Sequence, residues 1–163
     1  AQDVNLVNLA ERQGKGMVIM VNKWDLVEKD SKTADKFKKE ILETLAPIDY
    51  LPIIFASVLT KQRIFQVIEK TVQVYANKTK KIPTAKLNDV MLPEIESHPP
   101  PSVKGKMIHI KYITQVNARF PSFVFFCNLP QYIQPSYEQF LENKLRDNSD
   151  FEGVPLRLIF RKK

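Results

Sequence analysis

A single cysteine, Cys127, cannot close a disulfide within the chain. That excludes a cross-linked secreted scaffold and fits a reducing, cytoplasmic setting. Glycine is also scarce, at four in 163 residues, and none of the spacings suits phosphate chemistry. A Gly-x-x-x-x-Gly-Lys-Ser/Thr loop is missing, so no run of backbone N–H groups is set to cradle phosphates beside a lysine and a magnesium-binding hydroxyl. The Gly-x-x-Gly clamp that grips a nucleic-acid backbone is missing too. His98 and His109 have no Cys or His at metal-ligand spacing, which argues against zinc. No Ser-His-Asp or Cys-His arrangement can be assembled, so no catalytic residue and no metal ligand is assigned. No apolar run approaches the roughly 20 residues that span a bilayer, and the first residues lack a basic-then-apolar signal pattern. What remains is 44% hydrophobic and 26% charged residues, enough for one ordinary core or two small ones. Net charge is +7, spread as +4 over residues 1–82 and +3 over residues 83–163. Such a field favours approach to a polyanion such as RNA, although solvated helix lysines give the same balance. The chain opens on Ala1 inside a helical pattern, and the expectation is a piece of something longer.

The most informative stretch is Met17-Val18-Ile19-Met20-Val21 running into Asn22-Lys23-Trp24-Asp25. It reads as a buried strand ending in Asn-Lys-x-Asp, a pattern suited to guanine. A carboxylate such as Asp25 accepts from both the ring N–H and the exocyclic amino group, a fork adenine does not offer. An Asn amide satisfies acceptors on the other edge of the base, and a Lys stem lies across its face. The carboxyl end of a parallel strand is where open α/β sheets bind ligands. With 9 Asn, 19 Lys and 8 Asp, chance supplies the motif about 0.05 times. A polar turn after a buried strand is the alternative.

The first half alternates helix and strand, as parallel sheets with covering helices do. A helix from Gln2 to Arg12 precedes the Met17–Val21 strand. Thr33 is expected to cap a helix with Phe37, Ile41 and Leu45 on one face, ending by Pro47. Leu51–Ala56 is the next strand, and after Ser57-Val58-Leu59-Thr60 a helix carries Ile64, Val67, Ile68, Thr71, Val72 and Tyr75 on one face. Two strands are too few for a sheet covered on both faces, so this half looks incomplete. The polar stretch from Asn77 to Pro83 marks a domain boundary. Beyond it Thr84 is expected to cap a helix with Leu87, Val90, Met91 and Ile95, stopping before Pro99-Pro100-Pro101. Lys106–Val116 alternates, with Ile108, Ile110 and Tyr112 on one face. Phe123–Cys127 is a second strand, Ser136-x-x-Gln139 a capping box opening a helix with Phe140, Leu141 and Leu145, and Pro155–Arg161 a third strand. Asp150-Phe151-Glu152-Gly153 spells the Asp-x-x-Gly of a nucleotide switch but reads as a turn before that strand.

These residues resemble one family closely. Val21 to Val27, Ser57-Val58-Leu59-Thr60, Pro83 to Asn88, His98-Pro99-Pro100-Pro101, Gly105-Lys106, Lys111 to Gln115, Phe126-Cys127-Asn128, Ser136-Tyr137 and Leu141-Glu142-Asn143 with Arg146 are similar to the carboxyl-terminal part of Der, also called EngA. That bacterial ribosome-assembly family has two consecutive GTPase domains followed by a KH-like domain. The resemblance covers nearly all of the chain. It implies a partial P-loop GTPase sheet of α/β class over residues 1–80, the guanine half without its phosphate loop, then an α+β KH-like domain with a three-stranded sheet over residues 81–163. It implies that Asn22, Lys23 and Asp25 hold guanine and ribose while Ser57 and the backbone N–H of Val58 close over the guanine oxygen. Val58 stands where the family more often has Ala, and Lys61 where a Gly often follows the Thr. GTP or GDP is the implied cofactor, with Mg2+ held by segments absent here, so this piece alone is not expected to hydrolyse GTP. The implied partners are the large ribosomal subunit with its rRNA and the parent's own GTPase domains.

In the second half, Lys104, Lys106, Lys111, Arg119 and Arg157 interleave with Tyr112, Phe123, Phe125 and Phe126, a mixture that can pair phosphates and stack bases. Alternating strand aromatics also build cores. A non-catalytic RNA- or protein-binding module with a scaffold first half is therefore the competing reading.

Overall fold

A computed structural model describes residues 2–28 and 32–163. The chain divides into two compact units, one of Ala1–Lys78 with Phe151–Pro155, the other of Thr79–Asp150 with Leu156–Lys163.

In the first unit α1 (Gln2–Arg12), β1 (Ile19–Val21), α2 (Thr33–Leu45), β2 (Ile53–Phe55) and α3 (Ile64–Thr79) follow in order. Strands β1 and β2 are parallel neighbours, Ile19 opposite Ile53 and Val21 opposite Phe55. Both are shorter than the apolar runs that announce them, because Met17 and Leu51 lie outside the ladder. Leu45, Ile48 and Leu51 form the core, with Val4, Val7, Met17, Ile19, Ile41 and Tyr50 packed on it. The turn at Glu152–Gly153 belongs to this unit. Gly153 donates its N–H to Tyr50 O at 2.8 Å and accepts from Met17 N at 2.8 Å. Asn77 Nδ2 donates to Glu152 O at 3.1 Å, and Lys70 pairs with the Glu152 carboxylate at 2.9 Å. Asp150 to Gly153 is thus the expected turn, and it anchors the start of β1.

Two readings of this half need correction. Thr33 is the first residue of α2, and Lys32 occupies the capping position without a side-chain cap. On α3 the buried residues are Val74 and Asn77, whereas Ile68, Val72 and Tyr75 are more than half exposed, as is Phe65. The apolar arc of α3 is wider than a two-stranded sheet covers.

The second unit contains α4 (Thr84–Ser97), β3 (Ile110–Val116), β4 (Ser122–Cys127), α5 (Pro135–Asn148) and β5 (Arg157–Lys162). Its sheet has the order β3-β4-β5, antiparallel then parallel. Ile113, Phe123, Phe125 and Cys127 are completely buried on one face, forming a core with Leu87, Met91, Ile95, Leu141 and Leu145 of the helices. Asn88 fastens α4 to the edge of β3: its amide donates to Ile113 O at 2.8 Å, and its oxygen accepts from Ile113 N at 2.8 Å. A side chain thereby occupies a backbone edge that would otherwise invite another strand.

The helix starts differ from expectation here too. Pro83 and Gln134 occupy the N-cap positions of α4 and α5, with no side-chain cap, so Thr84 is already helical and Ser136 lies one residue past Pro135. Proline at the first helical position removes one N–H that would need a partner and fixes φ, which replaces the capping box. In β3 a bulge between Ile110 and Tyr112 leaves Lys111 without a cross-strand partner. One inserted residue reverses the alternation, so Ile110 and Tyr112 lie on opposite faces rather than the same one.

Candidate guanine-recognition site

The ends of β1 and β2 bring together the residues that the Asn-Lys-x-Asp pattern singles out. Parallel pairing continues one step beyond the strands, where Ala56 N donates to Val21 O at 2.9 Å and Trp24 N donates to Ala56 O at 3.1 Å. Asn22 and Ser57 therefore leave the sheet side by side. Asn22 Oδ1 accepts from Lys23 N at 2.8 Å and from Val58 N at 3.1 Å, tying the two loops together. Ser57 is buried, and its Oγ accepts from Thr60 N at 3.2 Å. Lys23 adopts a left-handed conformation with φ 61°, which turns the chain into a short 3-10 helix over Trp24–Leu26.

Trp24 is the anchor that sequence reasoning passed over. It is 3% exposed, edge-on to Phe37 at 5.6 Å and tilted against Phe55 at 4.3 Å. An aromatic in the variable position of a polar motif was the available signal. With that ring inserted, its neighbour Asp25 stays only partly buried, and its carboxylate has no hydrogen bond or ion pair among the described residues. The Val58 N–H, expected to face a ligand oxygen, donates to Asn22 instead, while the Val58 side chain is 55% exposed. Asn22 thus has its oxygen engaged and its amide N–H groups without a partner among the described residues, and both carboxylate oxygens of Asp25 are likewise without one.

The five cations predicted for nucleic-acid contact do not form one cluster. Lys104 and Lys106 sit in a tight turn closed by reciprocal Val103–Lys106 hydrogen bonds, with positive φ at Lys104 (51°) and Gly105 (73°), as a two-residue hairpin turn requires. Lys111 is the exposed bulge residue. Arg119 lies in the β3–β4 connection, and Arg157 at the start of β5 stacks on Phe120 at 4.9 Å. Phe123 and Phe125, expected among base-stacking aromatics, are 0% exposed and belong to the core. Cys127 is equally buried, and burial pushes its thiol up, as for a small core hydrophobe. His98 packs against Phe140, and its carbonyl accepts from the Tyr137 hydroxyl at 2.8 Å.

The fold defines an α/β unit with accessible polar groups at its strand tips, in one chain with an α+β unit that has a three-stranded sheet. Comparison with known proteins gives the family. Residues 81–161 match the KH-domain-like, carboxyl-terminal domain of EngA bacterial GTPases. A protein of Cytophaga hutchinsonii named GTPase Der is 55% identical over 163 residues, which is 100% of this chain and 38% of the relative. The protein of the same name from Amoebophilus asiaticus is 56% identical over 162 residues, 99% of this chain and 37% of the relative. The chain belongs to the Der/EngA family, and it spans about 38% of the length of the relatives it matches.

Proposed function

We propose that this chain is the guanine-recognition end of a Der-type GTP-binding protein together with its KH-like domain, acting in assembly of the large ribosomal subunit. The observation that carries the reading is the tie between Asn22 Oδ1 and Val58 N at the carboxyl ends of two parallel strands. It leaves amide donors at Asn22 and an unpaired carboxylate at Asp25, the complement of guanine's acceptor edge and donor edge respectively. Lys23 would lie along the base and ribose. Ser57 would complete the pocket wall through the loop it heads. The relatives' shared name supports GTP as the nucleotide. The chain's own residues bind and orient the base. When the nucleotide is bound, its phosphates and Mg2+ would fall to segments that this sequence does not contain, so hydrolysis is assigned to no residue here. The KH-like unit, rich in cations on its sheet, is the RNA- and ribosome-facing part.

Titration with a fluorescent guanine nucleotide tests the first half of this reading. Binding is expected to be selective over the adenine analogue and weakened by Asp25→Asn by about 1–3 kcal/mol, the worth of a good bidentate pair. Guanine and adenine analogues binding equally, with Asp25→Asn neutral, would refute base recognition by this tip. The first unit would then be a scaffold for a non-catalytic RNA- or protein-binding module.

A further inference from the structure

On the face of the second unit's sheet turned away from Phe123, Phe125 and Cys127, Ser122 and Val124 are buried while the end carrying Phe126 stays accessible, and the β3 bulge determines what stands there. Because the bulge reverses the alternation, Tyr112 comes opposite Phe126, and Phe126 opposite Arg161, in one row across all three strands. Cross-strand partners share a face. Tyr112 and Phe126 are stacked, with centroids 4.5 Å apart and planes 16° from parallel, and both remain partly exposed. Lys163 Nζ stands 5.1 Å from the Tyr112 centroid. Two rows along, beyond the buried Val124, Arg157 pairs with the buried Ser122, about 13 Å from Arg161 at strand rise.

The charge around this row has one sign. From Ser97 to Tyr137, and again from Val154 to the last residue, the chain contains no Asp or Glu, so every formal charge on the three strands and on the turns joining β3 to its neighbours is positive. The acids of this unit lie on α4 and α5, where Glu94 pairs with Lys144 at 3.0 Å and Glu142 with Arg146 at 2.7 Å. Arg161 and Lys163 have no carboxylate partner among the described residues. A cationic strip around a preformed aromatic stack suits a partner that offers both phosphates and flat π faces. Base pairing would hide those faces in a duplex, whereas a single strand presents them.

We propose that the accessible Tyr112–Phe126–Arg161 end of this sheet face is a stacking platform for single-stranded RNA: Tyr112 and Phe126 receive a base, and Arg161 and Lys163 pair the flanking phosphates. This rests on the ribosomal reading above and deepens it by locating the contact away from Lys104, Lys106 and Arg119. It also explains how a KH-like domain without a Gly-x-x-Gly loop holds RNA.

The test is fluorescence anisotropy of a labelled 12-nucleotide oligouridine titrated with the whole 163-residue chain at 50 and 200 mM salt. Tyr112→Ala is expected to weaken binding about tenfold or more, whereas Tyr112→Phe keeps the ring and the affinity. Arg161→Ala, at an exposed position where folding is not at stake, is expected to lower the slope of log affinity against log salt by about 0.7. Lys39→Ala on α2 should change neither quantity. RNA binding that survives Tyr112→Ala and Arg161→Ala unchanged overturns the platform but leaves RNA contact by the chain standing. No binding of the wild-type chain at 50 mM salt overturns both.

Discussion

Gly153 is where the structure tolerates least change, and the cost of Gly153→Ala can be worked from its surroundings. Its φ is +76°, a region in which a side chain costs about 1–2 kcal/mol. An added Cβ would also collide with Val74 Cγ2 and lie 2.8 Å from Met17 O. The valine can shift by a rotamer, but the Met17 carbonyl cannot, because Met17 N is held by Gly153 O at 2.8 Å. Overpacking of that kind adds about 1–3 kcal/mol, for a total of about 2–5 kcal/mol against a stability typically of 5–15 kcal/mol. The single tryptophan, Trp24, is buried in the same unit, so its fluorescence reports that unit's unfolding in urea. With a slope of about 1–3 kcal/mol per molar, the midpoint should fall by about 1 M or more. Gly105→Ala is the matched comparison. Its φ is +73° but nothing lies within 4 Å of an added Cβ, so only the backbone term of about 1–2 kcal/mol applies, and the Trp24 transition should not move. Should Gly153→Ala leave the Trp24 midpoint where it was, the argument that this turn holds the entrance to β1 would be wrong.

Two further substitutions probe the second unit. Asn88→Ala removes the amide that donates to Ile113 O and accepts from Ile113 N; at about 1 kcal/mol for each hydrogen bond, far-UV circular dichroism in urea should record a loss of about 2 kcal/mol. Burial raises the Glu138 carboxyl, and the nearby Glu142 charge raises it further. A carboxyl whose folded pKa is raised stabilises the fold below its unfolded pKa and loses that contribution as pH climbs through the folded value. Glu138→Gln should therefore make the second unit more stable at pH 7 and leave it unchanged near pH 3, and a midpoint shift of equal size at both pH values would contradict that cause.

How far the sequence discloses this protein depends on which force decides each feature. Element order was legible because it follows from apolar periodicity: the paired runs around Ile19 and Ile53 became parallel strands, and the runs before Pro47 and Pro99 became helices. The Asn-Lys-x-Asp residues were legible as a group because their spacing alone places them at a strand tip. Helix caps at Thr33, Thr84 and Ser136 were misread by one or two residues, since proline at the first helical position and a bare backbone entry satisfy a helix start as well as a hydroxyl does. The Tyr112–Phe126–Arg161 row was illegible for a sharper reason. A single inserted residue in β3 changes the face of everything after it, and no local pattern distinguishes a bulge at Lys111 from regular alternation.

The Asn22 side chain shows how one hydrogen bond constrains what a tip of this kind can recognise. An asparagine amide rotated freely offers either its oxygen or its nitrogen to a ligand. Here two backbone N–H groups, those of Lys23 and Val58, both demand the oxygen, and turning the amide over would set donors against donors. Only N–H groups are left facing outward, so a base held as proposed would have to bring acceptors to Asn22. Guanine presents acceptors at N7 and O6 where adenine has an amino group in place of the oxygen. Selectivity at this tip would then come from both ends of the base, Asp25 demanding donors and Asn22 demanding acceptors. Asn22→Asp, which keeps the oxygen for Val58 and replaces the N–H groups with a second oxygen, should retain the loop tie yet lose guanine affinity as Asp25→Asn does. Full guanine affinity in Asn22→Asp would show that the amide serves the loops alone.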